Sequence, residues 1–152
     1  MPKITMEWQR FEELSAAALY DMLRFRQSIF IVEQVSPYPD LDGLDQSAWH
    51  LLARLEGDLV GYLRLIPPTG SPAPVRIGRV AVSQSLRRHG LGRELMEKAL
   101  NLCREGFPDQ PIALGAQLPL VPFYESFGFR SVSGTYDDFA VPHVDMMLLP
   151  RS

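Results

Sequence analysis

The stretch that decides the fold is Ile77–Leu102, with the sequence IGRVAVSQSLRRHGLGRELMEKALNL. Its first six residues, 77–82, contain a β-branched apolar run that predicts a short strand buried on both faces. From Leu91 onward, apolar residues recur every three or four positions, which predicts an amphipathic helix. Between strand and helix lies a polar connector with two glycines, Gly90 and Gly92. The stretch therefore predicts a strand, a tight turn and a helix in direct succession.

The turn at 87–93 has the features of an anion-binding site. Its glycines let the backbone bend tightly and point N–H groups outward at the start of the helix, where the helix dipole is positive. Two arginines add formal charge beside it, and phosphate is the anion that such a turn favours. The residues expected at this site are Arg87, Arg88, His89, Gly90, Leu91, Gly92 and Arg93.

Two common phosphate-binding motifs are excluded by the residues themselves. A P-loop requires a lysine and then serine or threonine after its last glycine, but Arg93 and Glu94 follow Gly92. A dinucleotide-binding fingerprint requires a third glycine where Leu95 stands, and no acidic partner for a ribose is evident. What remains is R-x-x-G-x-G at the start of a helix, which by itself is a weak motif.

Composition limits the class of protein. A length of 152 residues favours one domain spanning 1–152, and 46% hydrophobic with 22% charged residues is ordinary for a soluble globular protein. The net charge of -3 argues against a general nucleic-acid binder. The single cysteine, Cys103, falls on the apolar side of the predicted helix, which favours a buried thiol in a reducing compartment. Without a signal-like start or a membrane-length apolar segment, we expect no membrane association and a cytoplasmic location.

The rest of the chain predicts an α/β domain on one mixed sheet. Further strands are expected at 4–8, 49–56, 59–66, 112–117, 129–136 and 144–149, with further helices at 16–27 and 119–127. Gly57 and Asp58 are predicted to form the turn of a hairpin. Segments 37–45 and 67–74 are rich in proline and are predicted to be irregular. Ser28–Gln34 is too rich in β-branched residues to favour a helix.

A second block, FYESFGF at 123–129, follows a strand that ends in Ala116-Gln117. Together with R-x-x-G-x-G, this block resembles the GNAT superfamily of N-acetyltransferases. Dispersed residues across nearly the whole chain are similar to the ElaA-like branch of that superfamily. These are Leu19-Tyr20, Arg26, Phe30-x-x-Glu33-Gln34, Pro37-Tyr38, Asp42-Gly43-x-Asp45, Arg64-Leu65, Gly78-Arg79-Val80, Ala116-Gln117 and Pro142-His143.

The resemblance implies an α/β (α+β) GNAT fold, with one mixed, mostly antiparallel central sheet flanked by helices. It also implies that acetyl-CoA lies between strands 77–82 and 112–117, with its pyrophosphate on 87–93 and no metal. Further contacts to acetyl-CoA are expected from Val80, Ala81, Val82, Gln117 and Phe123. A backbone N–H of the strand 80–82 is expected to polarise the thioester carbonyl, and Tyr124 to donate its O–H to the leaving sulfur.

The remaining chemistry needs a base for the amine. Glu33, which follows an apolar run, is the first candidate because partial burial would raise its pKa toward neutrality; its alternative role is to hold the proline-rich loop. Substrate contacts are expected from Gln34, Asp42, Asp45 and His143, although the aspartates are equally suited to Asx turns. His50 and His143 are candidate bases or metal ligands, or histidines paired with backbone. Arg26 and Arg79 are expected to bridge to carboxylates.

These residues predict an acetyl-CoA-dependent N-acetyltransferase that transfers acetyl directly to an amine of a small molecule or peptide. Cys103, as the only thiol, leaves no acceptor for an acetyl-enzyme, which favours a ternary complex. The alternatives are a GNAT-fold module that binds acyl-CoA without turnover and, with less support, a metal-dependent hydrolase. A homodimer is expected by family. Phe139-Ala140-Val141 departs from the glycine-containing loop of the branch, so that loop is expected to differ in its backbone.

Overall fold

In the computed structural model, residues 3–70 and 72–150 are described, and their strands form one sheet. The strands are β1 (Ile4–Arg10), β2 (Trp49–Leu55), β3 (Asp58–Ile66), β4 (Val75–Val82), β5 (Ile112–Gln117), β6 (Arg130–Ser131), β7 (Tyr136–Asp138) and β8 (Val141–Leu148). Their order is β1-β2-β3-β4-β5-β8-β6, with β7 also paired to β8. Only the β4–β5 pair is parallel among these neighbours, so the predicted mixed, mostly antiparallel sheet is confirmed.

Helices cover both faces of this sheet. They are α1 (Ala16–Gln27), a π-helical segment (Ser28–Glu33), α2 (Leu91–Gly106) and the short α3 (Val121–Glu125). The larger core cluster joins Leu91, Leu95 and Met96 of α2 to Leu51 and Leu63 of the sheet. On the opposite face, Met22 of α1 packs with Leu52 and Tyr62. Alternating residues of β2 and β3 thus enter different cores, as expected for strands covered on both sides.

The sheet is split between β4 and β5, and this split positions the candidate site. The two strands pair only at Val75↔Ile112 and Arg76↔Ala113, and they separate beyond that point. β5 stays paired with β8 along its whole length, as far as Gln117↔His143. An opening therefore lies between the carboxyl-terminal ends of β4 and β5, where the sequence predicted acetyl-CoA to bind.

A bulge distorts β4 at the edge of this opening. Tyr62 of β3 pairs with Ala81, whereas Arg64 pairs with Gly78, so β4 carries one residue more than β3 between these pairs. Arg79 lies in this bulge with a φ of 54°. A bulge leaves backbone groups of the bulged strand unpaired. It therefore frees backbone polar groups at the mouth of the opening.

The segment 28–34 corrects one prediction from the sequence. Ser28–Glu33 continues α1 as a π-helix and is not extended. Ile29 and Phe30 are buried there and pack with Ala81 of β4. Burial of two large apolar side chains outweighs the weak helix propensity of β-branched residues, which amounts to a few tenths of a kcal/mol per residue.

Three further element bounds differ from prediction. The hairpin turn is Glu56-Gly57, not Gly57-Asp58, because Leu55 pairs with Asp58 and both turn residues have positive φ (52° and 86°). The predicted helix 119–127 begins as a 3-10 turn over Leu118–Leu120 before α3, since prolines break the N–H ladder. The predicted strand 129–136 is interrupted, so that β6 and β7 are separate strands. The irregular segments 37–45 and 67–74 are as predicted in their described residues; Ser71 lies outside them.

Within residues 3–70 and 72–150, the helices are all too short or too polar to cross a membrane.

Candidate active site

Two cavities open at the split between β4 and β5. The larger has a volume of about 680 Å³ and the smaller about 300 Å³. Six residues line both cavities and define what we call the junction: Phe30, Gln34, Val80, Gln117, Leu120 and Tyr124. Two chambers that share one wall of residues are suited to hold two different molecules whose reacting groups meet.

The larger cavity contains most of the predicted anion site. Its lining includes Val80, Ala81, Val82, Arg87, Arg88, Gly90, Gly92, Arg93, Gln117 and Phe123. Gly90 caps α2 in the left-handed conformation (φ 85°), which lets the first turn of the helix face the cavity. Two predicted members do not line it: the Leu91 side chain is buried in the core, and the His89 side chain is exposed.

Arg87 and Glu33 form an ion pair at the wall of the larger cavity. The Arg87 guanidinium donates to both carboxylate oxygens of Glu33, at 2.5 and 2.8 Å, and its Nε donates to the Val82 carbonyl at 3.1 Å. Glu33 lines the larger cavity and not the smaller, and its side chain is 36% exposed. Because both carboxylate oxygens accept hydrogen bonds from Arg87, this geometry does not favour Glu33 as a base. The carboxylate ties the π-helical segment to the connector before α2, and not to the proline-rich loop.

Arg93 links the two sequence motifs. Its guanidinium donates to Ser126 Oγ at 2.7 Å and lies over the Phe127 ring, 4.5 Å from the centroid. Ser126 in turn donates to the Phe123 carbonyl. The first turn of α2 is thus fastened to the FYESFGF block, an interaction that the sequence analysis missed. An arginine followed about thirty residues later by a serine between aromatic residues is too common to have revealed it.

Tyr124 lies at the junction with its ring buried. It is 5% exposed and packs edge-on against Phe123 and Phe129. Burial raises the pKa of its hydroxyl to about 12, so the group stays protonated at neutral pH. The hydroxyl makes no hydrogen bond to any residue that the structure describes. Tyr124 therefore combines packing with a free O–H donor at the boundary of the two cavities.

The smaller cavity is backed by a cluster of three arginines and three aspartates. Arg26 is fully buried and donates to Asp40 at 3.0 Å and to Asp45 at 2.8 Å. Arg64 donates to Asp42 and Asp45, and Arg79 donates to Asp40 and Asp42. Each aspartate thus receives two arginines, and the loop 37–45 is fixed against β3, β4 and α1. The predicted bridges from Arg26 and Arg79 to carboxylates are present.

This pairing alters the interpretation of the predicted substrate aspartates. Asp45 is 6% exposed, and neither Asp42 nor Asp45 lines either cavity. Burial works to raise the pKa of Asp42, but hydrogen bonds from Arg64 and from the Leu44 N–H outweigh it and lower that pKa to about 2. The Leu44 bond is an Asx turn. The geometry therefore favours the turn-forming alternative over contact with the substrate.

The two candidate histidines have different surroundings. His50 is fully buried, with Nδ1 2.5 Å from the Tyr62 hydroxyl and Nε2 2.9 Å from the Asp45 carbonyl. Burial lowers the pKa of His50, so the ring is neutral and both nitrogens are engaged. This leaves no lone pair for a metal. His143 is half-buried and lines the smaller cavity, as does Gln34.

With this geometry in place, comparison with known proteins identifies the family. A model described as "Acetyltransferase (GNAT) domain" matches residues 26–150.

The chain belongs to the GNAT acetyltransferase family.

Within that family its relatives are the ElaA proteins. Protein ElaA of Escherichia coli K12 is 42% identical over 145 residues, which are 93% of this chain and 95% of that protein. The crystal structure of Escherichia coli ElaA superposes with a TM-score of 0.91 at 40% identity, covering 95% of this chain and 99% of the other. An acyl-CoA N-acyltransferase from Pseudomonas aeruginosa gives a TM-score of 0.90 at 37% identity, with the same coverage. The predicted ElaA-like membership and the GNAT fold are confirmed.

Family membership assigns broad roles to a GNAT domain. Such domains use an acyl-CoA and an acceptor, and the protein is an acyltransferase of this family.

Proposed function

We propose that this GNAT domain is an acetyl-CoA-dependent N-acetyltransferase that transfers acetyl directly to the amine of a small molecule or peptide. The observation that carries the proposal is the pair of cavities meeting at Tyr124, Gln117 and Val80. The larger cavity, with its arginines and the start of α2, is the donor cavity, and the smaller is the acceptor cavity.

In the donor cavity, the pyrophosphate of acetyl-CoA binds the backbone N–H groups at the start of α2. Arg87 and Arg88 neutralise its charge. Glu33 binds Arg87 before the donor arrives, so the pyrophosphate either shares Arg87 with that carboxylate or displaces the carboxylate from it. The pantetheine arm runs between β4 and β5 toward the junction, along Val80, Ala81, Val82, Gln117 and Phe123.

At the junction, attack by the amine on the thioester gives a tetrahedral oxyanion. A backbone N–H beside the β4 bulge stabilises this charge, since a fixed dipole in a cavity shielded from water costs no reorganisation. Tyr124 faces the departing sulfur. Because its pKa is about 12, it keeps its proton until the sulfur leaves and then donates to it.

A direct transfer is favoured over an acetyl-enzyme. Cys103 is 2% exposed, and burial raises the pKa of its thiol to about 12. A thiol of that kind forms no nucleophilic thiolate at neutral pH. Both substrates must then be bound together. The cytoplasmic location and the homodimer remain predictions.

A thiol-release assay tests the proposal. Purified protein is incubated with acetyl-CoA and a panel of amines, polyamines, amino acids and peptides, and free CoA is measured. We expect turnover with at least one amine, and a loss of about 10²-fold in kcat for Tyr124→Phe. CoA affinity measured by calorimetry should be unchanged in that variant. Tyr20→Phe, at a tyrosine 69% exposed on α1, is the matched control and should keep full activity.

The rival function is a GNAT-fold module that binds acyl-CoA without turnover. It gives CoA binding with no thiol release from any amine, and Tyr124→Phe then changes nothing. Such a result would replace the enzymatic proposal.

A further inference from the structure

One ring nitrogen of His143 makes a hydrogen bond to the backbone, and the other is left to accept a proton. Its Nδ1 lies 2.8 Å from the carbonyl oxygen of Val141. A carbonyl only accepts hydrogen bonds, so Nδ1 carries the proton of the neutral ring. Nε2 then carries the lone pair. The neutral imidazole is therefore held in the tautomer that a general base requires.

The register of the sheet places this ring beside the junction. His143 pairs with Gln117, which lines both cavities, whereas His143 lines only the smaller, acceptor cavity. Residues directly opposite in an antiparallel pair lie about 4.5–5.5 Å apart at Cα and point to the same face. The neighbouring pair Ala116↔Val144 points into the core on the other side. The imidazole thus lies about one strand spacing from the junction, on the acceptor side.

Tyr136 fixes the plane of the ring. The two rings stack with centroids 6.1 Å apart and 25° between their planes. The Tyr136 hydroxyl donates to Asp145 at 2.6 Å, which holds the tyrosine in place. Gly115 leaves room for this arrangement, because a Cβ there would lie 3.3 Å from the Tyr136 hydroxyl. His143 is thus oriented by a neighbour on β7 as well as by its own strand.

We propose that His143 Nε2 is the general base that takes a proton from the ammonium group of the acceptor. This inference rests on the proposed N-acetyltransferase activity. It replaces Glu33 in that role, since Glu33 lies in the donor cavity and is bound by Arg87. His143 lies instead in the cavity where the acceptor enters.

The protons balance as follows. An ammonium of a primary amine loses two protons on becoming an amide. The first passes to His143 Nε2 and from there to solvent. The neutral amine attacks, the C–N bond forms and the C–S bond breaks. The second proton leaves the nitrogen of the tetrahedral intermediate and restores Tyr124 as Tyr124 protonates the CoA sulfur. The products are the acetylated amine, CoA thiol and one proton.

Several charged or titratable groups surround the ring. Tyr136 and Asp138 face it from β7, and Asp145 lies two residues along β8. Across the cavity lie Arg64, Arg76 and Arg79 from β3 and β4, with Tyr38 from the loop and Tyr124 from α3. Arg64 and Arg79 are paired with aspartates, which offsets their charge.

The test compares His143→Asn with Glu33→Gln. Asparagine keeps a donor near the position of Nδ1 for the Val141 carbonyl but has no group in place of Nε2. Profiles of kcat/KM against pH are measured with acetyl-CoA and the best primary amine of the panel. A second profile uses hydroxylamine, which is uncharged at neutral pH and has no ammonium proton for a base to remove before attack. Thermal melts confirm that both variants fold.

In the wild type we expect kcat/KM for the amine to rise with pH and then level off. In His143→Asn it should fall by about 10²-fold at neutral pH and rise tenfold per pH unit without a plateau, because only free amine reacts. Activity with hydroxylamine should fall less than about tenfold. Glu33→Gln should keep the wild-type plateau and change the KM for acetyl-CoA.

Three outcomes overturn the proposal, and they are distinguishable. A plateau retained in His143→Asn removes the base role alone. An equal loss with amine and hydroxylamine shows that the residue is structural. Absence of thiol release from every amine in the folded wild type removes the proposed function itself, and the base role with it.

Discussion

Replacing Arg26 with methionine tests whether the arginine–aspartate cluster stabilises the fold. Arg26 is fully buried and donates three hydrogen bonds: Nε to Asp40 Oδ2 at 3.0 Å, Nη1 to Asp45 Oδ1 at 2.8 Å and Nη2 to the Asp40 carbonyl at 3.0 Å. Its guanidinium also lies 5.6 Å from the centroid of the Tyr62 ring. Methionine fills much of the same volume with no donor and no charge.

The expected loss follows from these bonds. Two charge-assisted bonds at about 1.5–3 kcal/mol each and one to a neutral carbonyl at about 1 kcal/mol set an upper range of about 4–7 kcal/mol. Asp40 keeps Arg79 and Asp45 keeps Arg64, so neither carboxylate is left without a partner. We therefore expect a loss of about 3–5 kcal/mol, at or below the lower part of that range. In a domain of this size, that lowers the melting temperature by about 6–20 °C.

Urea denaturation followed by circular dichroism measures the change in the free energy of unfolding. The matched control is Arg10→Met, because Arg10 also lies over an aromatic ring (Trp49, 5.1 Å) and pairs with a carboxylate, but its side chain is 58% exposed. We expect less than about 1 kcal/mol there. A loss below about 1 kcal/mol for Arg26→Met would refute the reasoning, since the cluster would then stabilise the fold no more than a surface pair does.

Three further predictions concern single residues. The folded pKa of Asp42 (about 2) lies below its unfolded value near 3.9, so the stability that its charge contributes is complete above about pH 4 and is lost as the pH falls through about 2. In urea unfolding, this contribution should lower the free energy of unfolding by about 1–2 kcal/mol between about pH 5 and pH 2.5, and Asp42→Asn should lack that part of the decrease. Ala140 has a φ of 68° in a tight turn, so Ala140→Gly should stabilise the fold by about 0.5–1 kcal/mol in the same assay. The control is Ala16→Gly at the start of α1, which should destabilise the fold because that residue is helical. Since burial raises the pKa of Cys103 to about 12, a disulfide exchange reagent should modify its thiol only as fast as the protein unfolds; rapid labelling in native buffer would contradict this.

Local patterns predicted most of the fold because its determinants are local. The strand, turn and helix of Ile77–Leu102 depend on periodicity and on two glycines, and the structure places them as expected. One element was wrong because tertiary packing overrides its local preference. Ser28–Glu33 stays helical because Ile29 and Phe30 reach Ala81, a contact across about fifty residues of sequence that no local window contains.

The Phe139-Ala140 turn lies where the sequence departs from the glycine-containing loop of its branch. That its backbone differs from that loop stays a prediction. Both residues adopt the left-handed conformation that glycine adopts without strain, with φ of 51° and 68°. Contacts from the loop compensate: the Phe139 carbonyl accepts from Ser36 Oγ at 3.2 Å, and its ring lies 5.8 Å from that of Tyr38. The strain costs about 1–2 kcal/mol per residue, which these contacts offset.

The candidate site was less predictable, because charge pairing joins residues far apart in the chain. The sequence predicts that Asp42 and Asp45 contact substrate or form Asx turns, and that Arg26 and Arg79 bridge to carboxylates. It does not predict which aspartates these arginines bind, nor that Arg64 joins them, because the partners lie up to 39 residues apart in the chain. Asp40 was not singled out at all, although it receives two of the three arginines. The number of arginines facing an acidic loop is set by the topology of β3, β4 and α1, which a one-dimensional pattern does not contain.

The same limitation explains why the sequence favoured Glu33 as the base. A carboxylate after an apolar run is a reasonable candidate when its neighbours are unknown. The structure supplies the neighbour, Arg87, and it is a residue that the sequence had assigned to the pyrophosphate. A carboxylate that binds the phosphate-site arginine belongs to the donor cavity, so its loss should affect the KM for acetyl-CoA more than the pH dependence of transfer. Proton removal then requires a group on the acceptor side of the junction, and the register Gln117↔His143 places an imidazole there with its Nε2 lone pair available.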